Sequence, residues 1–508
     1  MSDTTFYWHD YETFGLHRRT DRPVQFAGIR TDANFEVIGE PDVWYCKTAP
    51  DYLPQPEACL LTGLTPQVAH ERGAVTEAEF ASRIEGAFRT PGTVSIGYNT
   101  LRFDDEVTRF LFWRNLKDPY AREWANGCSR WDLFPLVRAV WALRPEGIIW
   151  PEAVDENGKK RITFKLEKLS AANGLEHSHA HDATSDVYAT IGLAKLIAKQ
   201  NPRFWQWAFE NRTKAAVRAA FKGEDGPRPV VYIDSSAGQD RGYIRILYAL
   251  LPIEGRPDII AWDCREDPTV LSTLSGEEIK DRVTRAKELK EEGIEPLGLC
   301  RIRPNQFPFV CPNLAVLKKS AVSRFAIDLE AVAHNVDILR EILPEVQDKI
   351  EALVADKREE EKVDADAALY NGFPSDADKA LMFHVAKLTP EEIAQEVAAG
   401  KLNFSDERLN EILWRKRARN WPETLTEEEK IRWRAFCAAR LQGLLPNTLS
   451  LQEYLEEIDE TAERDCEAME DGTLTAEKFE ERQKILDDLY NWGEFVGAAS
   501  QEEDTFGE

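Results

Sequence analysis

Asp10 and Glu12 stand two residues apart in the stretch Phe6-Tyr7-Trp8-His9-Asp10-Tyr11-Glu12-Thr13-Phe14-Gly15. The stretch is aromatic, free of proline and closed by a glycine, which predicts a β-strand. Side chains alternate along a strand, so Phe6, Trp8, Asp10 and Glu12 share one face. Two carboxylates ~7 Å apart along the backbone then end an otherwise apolar face. Neighbouring acids repel, and burying them is costly unless a cation comes between them. A divalent metal is the simplest such cation. For the pair taken alone, a strand end that has reached water is the plainer explanation.

Three further residues extend the pattern. Asp104 follows an apolar strand at residues 94–99 and stands near the start of a helix. Asp186 falls in the first turn of a later helix, where the helix dipole tolerates an acid. His181 lies five residues earlier, on the loop leading in. Singly, Asp104 reads as an N-cap, Asp186 as a first-turn acid and His181 as a loop or core histidine. Asp105 and Glu106 read as a solvated face. Together the residues form an ordered set: Asp-x-Glu on an early strand, an Asp after a central strand, then His-x-x-x-x-Asp entering a helix. Phosphodiester hydrolysis asks for such a set. Two metal ions ~3.5–4 Å apart serve the attacking and the leaving oxygen. Magnesium takes hard oxygen ligands, so four carboxylates suit it, with manganese as a substitute. A histidine titrating near neutrality can take the proton from the attacking water.

Holding these residues takes a mixed sheet flanked by helices, an α/β arrangement. Further strands are predicted at residues 23–31, 37–38 and 43–46. Residues 60–66 turn into a helix beginning near Gln67. Residues 76–88 form an amphipathic helix with Phe80, Ile84 and Phe88 on one face. After residues 100–106 a helix runs through Trp113, and helices follow at residues 132–143, 166–173 and 186–199. Residues 223–229 are rich in glycine and proline and read as a linker or loop. Beyond them, short strands at 230–233, 243–251, 259–262, 299–302 and 309–310 suit a small barrel or open sheet. From Leu329 the chain reads as helical. Residues 351–368 have the composition of an exposed helix or hinge, residues 451–496 of one or two amphipathic helices, and residues 501–508 of a disordered end.

With 508 residues, two to four domains are expected. A hydrophobic share of 43% and 14 tryptophans indicate a folded protein. No apolar run is long enough to span a membrane, and no signal peptide is visible. The eight cysteines show no Cys-x-x-Cys pair and read as reduced core residues of a cytosolic protein. The net charge of −26 weighs against a nucleic-acid partner until its distribution is considered. From Ser450 onward there are 20 acidic and 4 basic residues, whereas residues 98–144 hold 8 basic and 6 acidic. Screening confines the acidic field to roughly 10 Å at moderate salt, so a local basic groove is compatible with the total. In that segment Trp113, Tyr120, Trp124, Trp131 and Trp141 interleave with Arg102, Arg109, Arg114, Arg122, Arg130 and Arg138. Aromatics that stack bases and cations that follow phosphates suit a single strand. Trp131 and Trp141 read as core residues.

The set resembles the DEDDh exonucleases, which have a ribonuclease H-like fold. Longer strings are similar to the exonuclease I family of bacteria. These are His9-Asp10-Tyr11-Glu12-Thr13-Phe14-Gly15, Gly97-Tyr98-Asn99, residues 102–109, 129–133, 142–147 and 180–190, and Leu369-Tyr370-Asn371-Gly372-Phe373 with residues 375–378. The resemblance implies an exonuclease domain over residues 1–200, a Src-homology-3-like barrel with flanking helices over 201–350, a helical domain over 351–497 and an acidic disordered tail over 498–508. It implies 3′→5′ hydrolysis of single-stranded DNA to 5′-mononucleotides in DNA repair or recombination. Asp10, Glu12, Asp104 and Asp186 would hold two magnesium ions, with His181 as general base. Glu12, Thr13 and Phe14 would meet the terminal nucleotide. Arg109, Tyr120, Trp124, Arg138 and Lys214 would follow the strand. Lys165 stands where the resemblance implies an arginine; a lysine keeps the charge but not the two-pronged grip on phosphate. Also implied are a cytoplasmic monomer and a partner, the single-stranded DNA-binding protein, whose acidic tail would reach Arg144. The alternatives are another DEDDh nuclease, proofreading or RNA-trimming, and an inactive fold kept to bind single strands.

Overall fold

Strand β1 (Thr5–Thr13) is the axis of the first sheet. It pairs antiparallel with β2 (Pro23–Thr31), placing Asp10 opposite Ala27 and Glu12 opposite Gln25, with a register shift between Glu12 and Thr13. β3 (Asp42–Tyr45) lies outside β2. Two short helices, α1 (Pro56–Thr62) and α2 (Pro66–Glu71), precede the amphipathic α3 (Glu77–Phe88). β4 (Thr93–Gly97) then runs parallel to β1, with Trp8 opposite Ile96. α4 (Asp104–Arg114) follows, and the sheet order is β3-β2-β1-β4 with β5 (Ser129–Asp132) last. The parallel β1–β4 pair beside the antiparallel β1–β2 and β2–β3 pairs makes the sheet mixed, as expected.

The computed structural model describes residues 4–156, 158–175, 183–306, 308–354, 363–445 and 448–501. The chain divides into two units, one of residues 1–130, 177–188 and 360–508, the other of 131–176 and 189–359. In the first unit, Tyr7 and Tyr11 from one face of β1 pack with Phe80, Ile84 and Phe88 of α3 and Val107 and Leu111 of α4. Each such fully buried side chain contributes about 1.5–3 kcal/mol. The C-terminal helices complete this unit. Leu369, Met382 and Leu413 pack on Phe110 and Trp113, and Tyr454, Leu489 and Val496 pack with Phe14 and Tyr52. A buried ionic network accompanies them. Arg419 reaches Asp51 at 2.8 Å and Asp366 at 2.5 Å, and Arg22 reaches Asp366 at 3.1 Å.

The second unit holds a five-stranded antiparallel sheet from Val230–Ile233, Ile244–Ala249, Ile259–Asp263, Leu299–Ile302 and Val310–Cys311. Val230, Leu247, Ile259 and Ile302 fill its core with Val217 and Phe221.

Several expectations are corrected. Residues 37–38 form no strand; Val37 makes one isolated bridge to Thr31 and both residues are exposed. Residues 60–66 are not a turn throughout: Pro56 starts a helix, and Gly63, at φ +70°, ends it. The glycine-rich stretch after Phe221 is a tight hairpin of Lys222–Gly223 and Gly226–Pro227. Helices Val270–Thr273, Gly276–Thr284 and Ala286–Glu291 lie between strands where only turns were expected; a Ser275–Glu278 capping box opens the middle one. Residues 365–370 are a 3-10 turn whose Asp366, Ala367, Ala368 and Leu369 are buried, because arginines converge on Asp366. The final stretch is two helices, Leu451–Glu470 and Ala476–Gln501. All eight cysteines are free, but Cys466 is exposed and Cys300 half-buried. Among the described residues no helix is long and apolar enough to cross a membrane.

Candidate active site

The alternation along β1 brings Asp10 and Glu12 to the same half-buried face. Asp186, in the first turn of the helix Ala183–Gln200, meets them there. One carboxylate oxygen from each of Asp10, Glu12 and Asp186 lies within 4.8 Å of the other two. Asp104 is the first residue of α4, and Phe103 takes the N-cap position in its place. Asp104 is buried, and its Oδ1 accepts from the backbone N–H of Tyr11 at 3.2 Å. That amide lies between the two acids of β1. Tyr11 is itself fixed, its hydroxyl 2.9 Å from Thr108 Oγ1, which donates to the Asp104 carbonyl at 2.8 Å. The sequence thus folds the two carboxylate-bearing segments onto each other through one tyrosine.

Burial pushes the Asp10 carboxyl well above the usual carboxylate range, and the charges of Asp104, Glu12 and Asp186 add to the push. The neighbouring His9 is drawn down to about 4, first by burial and then by Arg122. His181 lies outside the described residues.

Asp105 and Glu106 are not a solvated face. Asp105 is 2% exposed and forms ion pairs with Arg122 and, at 2.6 Å, with Arg130. Burial raises its carboxyl, but Arg130 and Arg122 outweigh burial and hold it below the usual range. Glu106 is half-buried and pairs with Arg109 at 2.7 Å. Arg114 is likewise buried, on Glu77 at 3.0 Å. Three of the interleaved arginines, Arg114, Arg122 and Arg130, therefore brace the interior rather than line a groove. The signal missed was pairing across 17 and 25 residues, which no local pattern carries.

The other predicted contacts are placed as follows. Thr13 is buried, its hydroxyl donating to the Gly15 carbonyl at 2.7 Å. Phe14 is buried against Tyr52. Arg109 bonds Glu123 at 2.9 Å and the Tyr370 hydroxyl at 3.2 Å, and its guanidinium lies 5.2 Å from the Tyr120 ring. Tyr120 and the exposed Trp124 line a cavity of about 360 Å³ with Phe373 and Phe383. Tyr370 and Phe373 belong to the matched string Leu369–Phe373, yet sequence reasoning gave them no role. In the second unit, Arg138 lies over Phe134 at 4.1 Å and Tyr243 at 5.0 Å. Lys165 is exposed at the N-cap of the helix Leu166–Ala172, and Lys214 is the exposed first residue of the helix Lys214–Ala220. Trp131 and Trp141 are core residues, as expected.

Sequence models of three families match in chain order: "Exonuclease" over residues 7–194, "Exonuclease I SH3-like domain" over 212–356 and "Exonuclease I C-terminal domain" over 363–496. Exodeoxyribonuclease I of Escherichia coli K12 is 42% identical over 473 residues, covering 90% of this chain and 96% of that protein. The chain belongs to the exodeoxyribonuclease I family. Its fold is accordingly the mixed α/β exonuclease sheet, followed by the Src-homology-3-like sheet and the helical C-terminal domain, as the sequence implied. A solved E. coli exonuclease I, described as a zinc-bound complex with single-stranded DNA, superimposes with a TM-score of 0.85 at 38% identity, covering 97% of this chain and all of that one. Another, described as an SSB/exonuclease I structure with an inhibitor, gives 0.82 at 37% identity, covering 97% of this chain and 100% of the other. As a member of the exodeoxyribonuclease I family this chain is a hydrolase, a nuclease.

Proposed function

We propose that this chain shortens single-stranded DNA from the 3′ end, releasing 5′-mononucleotides by two-metal-ion hydrolysis, in DNA repair and recombination. The observation that carries the reading is the convergence of Asp10, Glu12 and Asp186 oxygens within 4.8 Å, with Asp104 bonded to the amide between the first two. The donor set is all oxygen and all anionic, which fits magnesium, with manganese as a substitute. Asp10, Glu12, Asp104 and Asp186 would hold the ions, which would supply Lewis acidity to the phosphodiester. His181, carried over from the resemblance, takes the proton from the attacking water.

Glu12 and Thr13 meet the terminal nucleotide. Phe14, its ring buried on Tyr52, anchors the turn that presents them. Arg109, Tyr120 and Trp124 take the strand onward, the aromatics by stacking and the arginine by phosphate charge. Arg138, Lys165 and Lys214 are the second unit's contacts. The reading divides the chain into a nuclease domain over residues 1–200, a Src-homology-3-like domain over 201–350, a helical domain over 351–497 and an acidic tail over 498–508. The resemblance further supports a cytoplasmic monomer and a partner, the acidic tail of single-stranded DNA-binding protein. Arg144, half-buried over Phe204 at 5.7 Å, is its contact.

The test is a 5′-labelled single-stranded DNA incubated with magnesium. The expected product is a ladder shortening from the 3′ end, absent with chelator and absent for Asp10→Ala. Degradation persisting in Asp10→Ala contradicts the mechanism. Equal degradation of RNA or duplex contradicts the substrate.

A further inference from the structure

Residues 15–21 form a hook directly after the strand that carries Asp10 and Glu12. The backbone N–H of Phe14 donates to the Arg22 carbonyl at 2.9 Å and closes the hook at its base. Asp21 fills it: its carboxylate accepts from the His17 amide at 2.8 Å and from the Tyr52 hydroxyl at 3.0 Å. A Cβ at Gly15 would fall 2.1 Å from Asp21 Oδ2, so only glycine lets the acid in. The hook is therefore rigid, yet its outer residues, Leu16 to Arg19, are all exposed.

Two cations are held outward on this frame. Arg18 reaches across to donate to the Arg102 carbonyl, two residues before Asp104. It thus spans the two segments that supply Asp10, Glu12 and Asp104. Arg19 lies over Tyr370 at 5.5 Å and Phe110 at 6.0 Å. The Tyr370 hydroxyl is already committed, donating to Glu106 at 2.6 Å and accepting from Arg109. Among the described residues neither Arg18 nor Arg19 forms an ion pair, unlike Arg114, Arg122 and Arg130. A guanidinium has five N–H donors, and a carbonyl contact or a ring face leaves most of them open.

We propose that Arg18 and Arg19 form a phosphate clamp for single-stranded DNA, gripping the backbone between the carboxylate site and the Tyr120–Trp124 cavity. The clamp rests on the functional reading above. It links the site to the next step of the path, since Arg19 meets Tyr370, Tyr370 meets Arg109 and Arg109 meets Tyr120. Tyr370 comes from the C-terminal region, so that region helps hold the DNA as well as packing on the nuclease core. Planar guanidinium forks suit two-pronged phosphate contact, which a lysine cannot copy.

The test is the salt dependence of oligothymidylate binding, followed by fluorescence anisotropy in chelator so that no hydrolysis occurs. For a single strand, removing one cation from a phosphate makes the slope of log K against log salt shallower by about 0.7. The Arg18→Ala/Arg19→Ala chain is expected to show a slope shallower by about 1.4, with an unchanged melting temperature. Arg18→Lys/Arg19→Lys keeps the slope but binds more weakly than wild type. An unchanged slope in the alanine variant, with wild-type binding intact, overturns the clamp alone. A lowered melting temperature that accounts for the weakened binding also overturns it. No binding by the wild type overturns the functional reading, and the clamp with it.

Discussion

The amide of Tyr11 donates to Asp104 Oδ1 at 3.2 Å, tying the middle of β1 to the start of α4. This bond holds Asp104 against the strand that carries Asp10 and Glu12. It also separates two roles of Asp104, acceptor and anion, which a substitution can tell apart.

Asp104→Asn keeps an oxygen for the Tyr11 amide but removes the charge. The fold should hold, with a melting temperature equal to or above that of the wild type. The rate on single-stranded DNA should fall at least about 10²-fold, since a ligand charge is worth several kcal/mol and each 1.4 kcal/mol is tenfold. Steady-state rates beside thermal melts check both halves.

The Asp10 carboxyl is raised, so the folded chain holds a proton that the unfolded chain has released. Its contribution to stability is present below the unfolded value of about 4 and is lost as pH rises through the higher folded value. In chelator, melting temperature should therefore fall over this window more steeply for wild type than for Asp10→Asn. Magnesium at neutral pH should restore the wild type and leave Asp10→Asn unmoved. Paired pH series of thermal melts measure the difference.

Asp105 behaves oppositely. Its folded value is depressed, so its contribution is present above about 4 and lost as pH falls through that folded value. Asp105→Asn takes the ion-pair partner from the buried Arg122 and leaves Arg130 with Glu123 at 3.0 Å, a change of about 3–5 kcal/mol. The first unit should melt earlier, with much of the loss appearing in denaturation rather than in substrate affinity.

Lys416 is buried, donates to the Asn115 carbonyl at 3.1 Å, and is brought down to about 7, first by burial and then by Lys117. The unfolded lysine takes its proton near pH ~10.4. Stability should thus decline as pH falls from about 10 to about 7 and then level off. Lys416→Met should flatten that decline and raise the melting temperature at pH 7, as paired melts at the two ends of the window will show.

The candidate carboxylates were legible as an ordered set, although none of them stood out singly. Asp10 and Glu12 stand two residues apart on one strand and so had to share a face; Asp104 starts a helix and Asp186 falls in the first turn of another. Asp105 was not legible, because its burial depends on Arg122 and Arg130 arriving from far along the chain. Residues 365–370 look polar enough for a hinge, yet Arg22, Arg415 and Arg419 enclose Asp366 at 3.1, 3.5 and 2.5 Å. The helix Pro56–Thr62 carried its own signals, Pro56 and Gly63, and only its shortness hid it. Local pattern reads what a segment does with itself and is silent where a segment's fate is settled by distant partners.

The most direct test of the two-metal site is a crystal soaked in manganese and measured at its absorption edge. Two anomalous peaks about 3.5–4 Å apart, bounded by Asp10, Glu12, Asp104 and Asp186, are the predicted result. Manganese bound elsewhere, or no peak among these four acids, would contradict it.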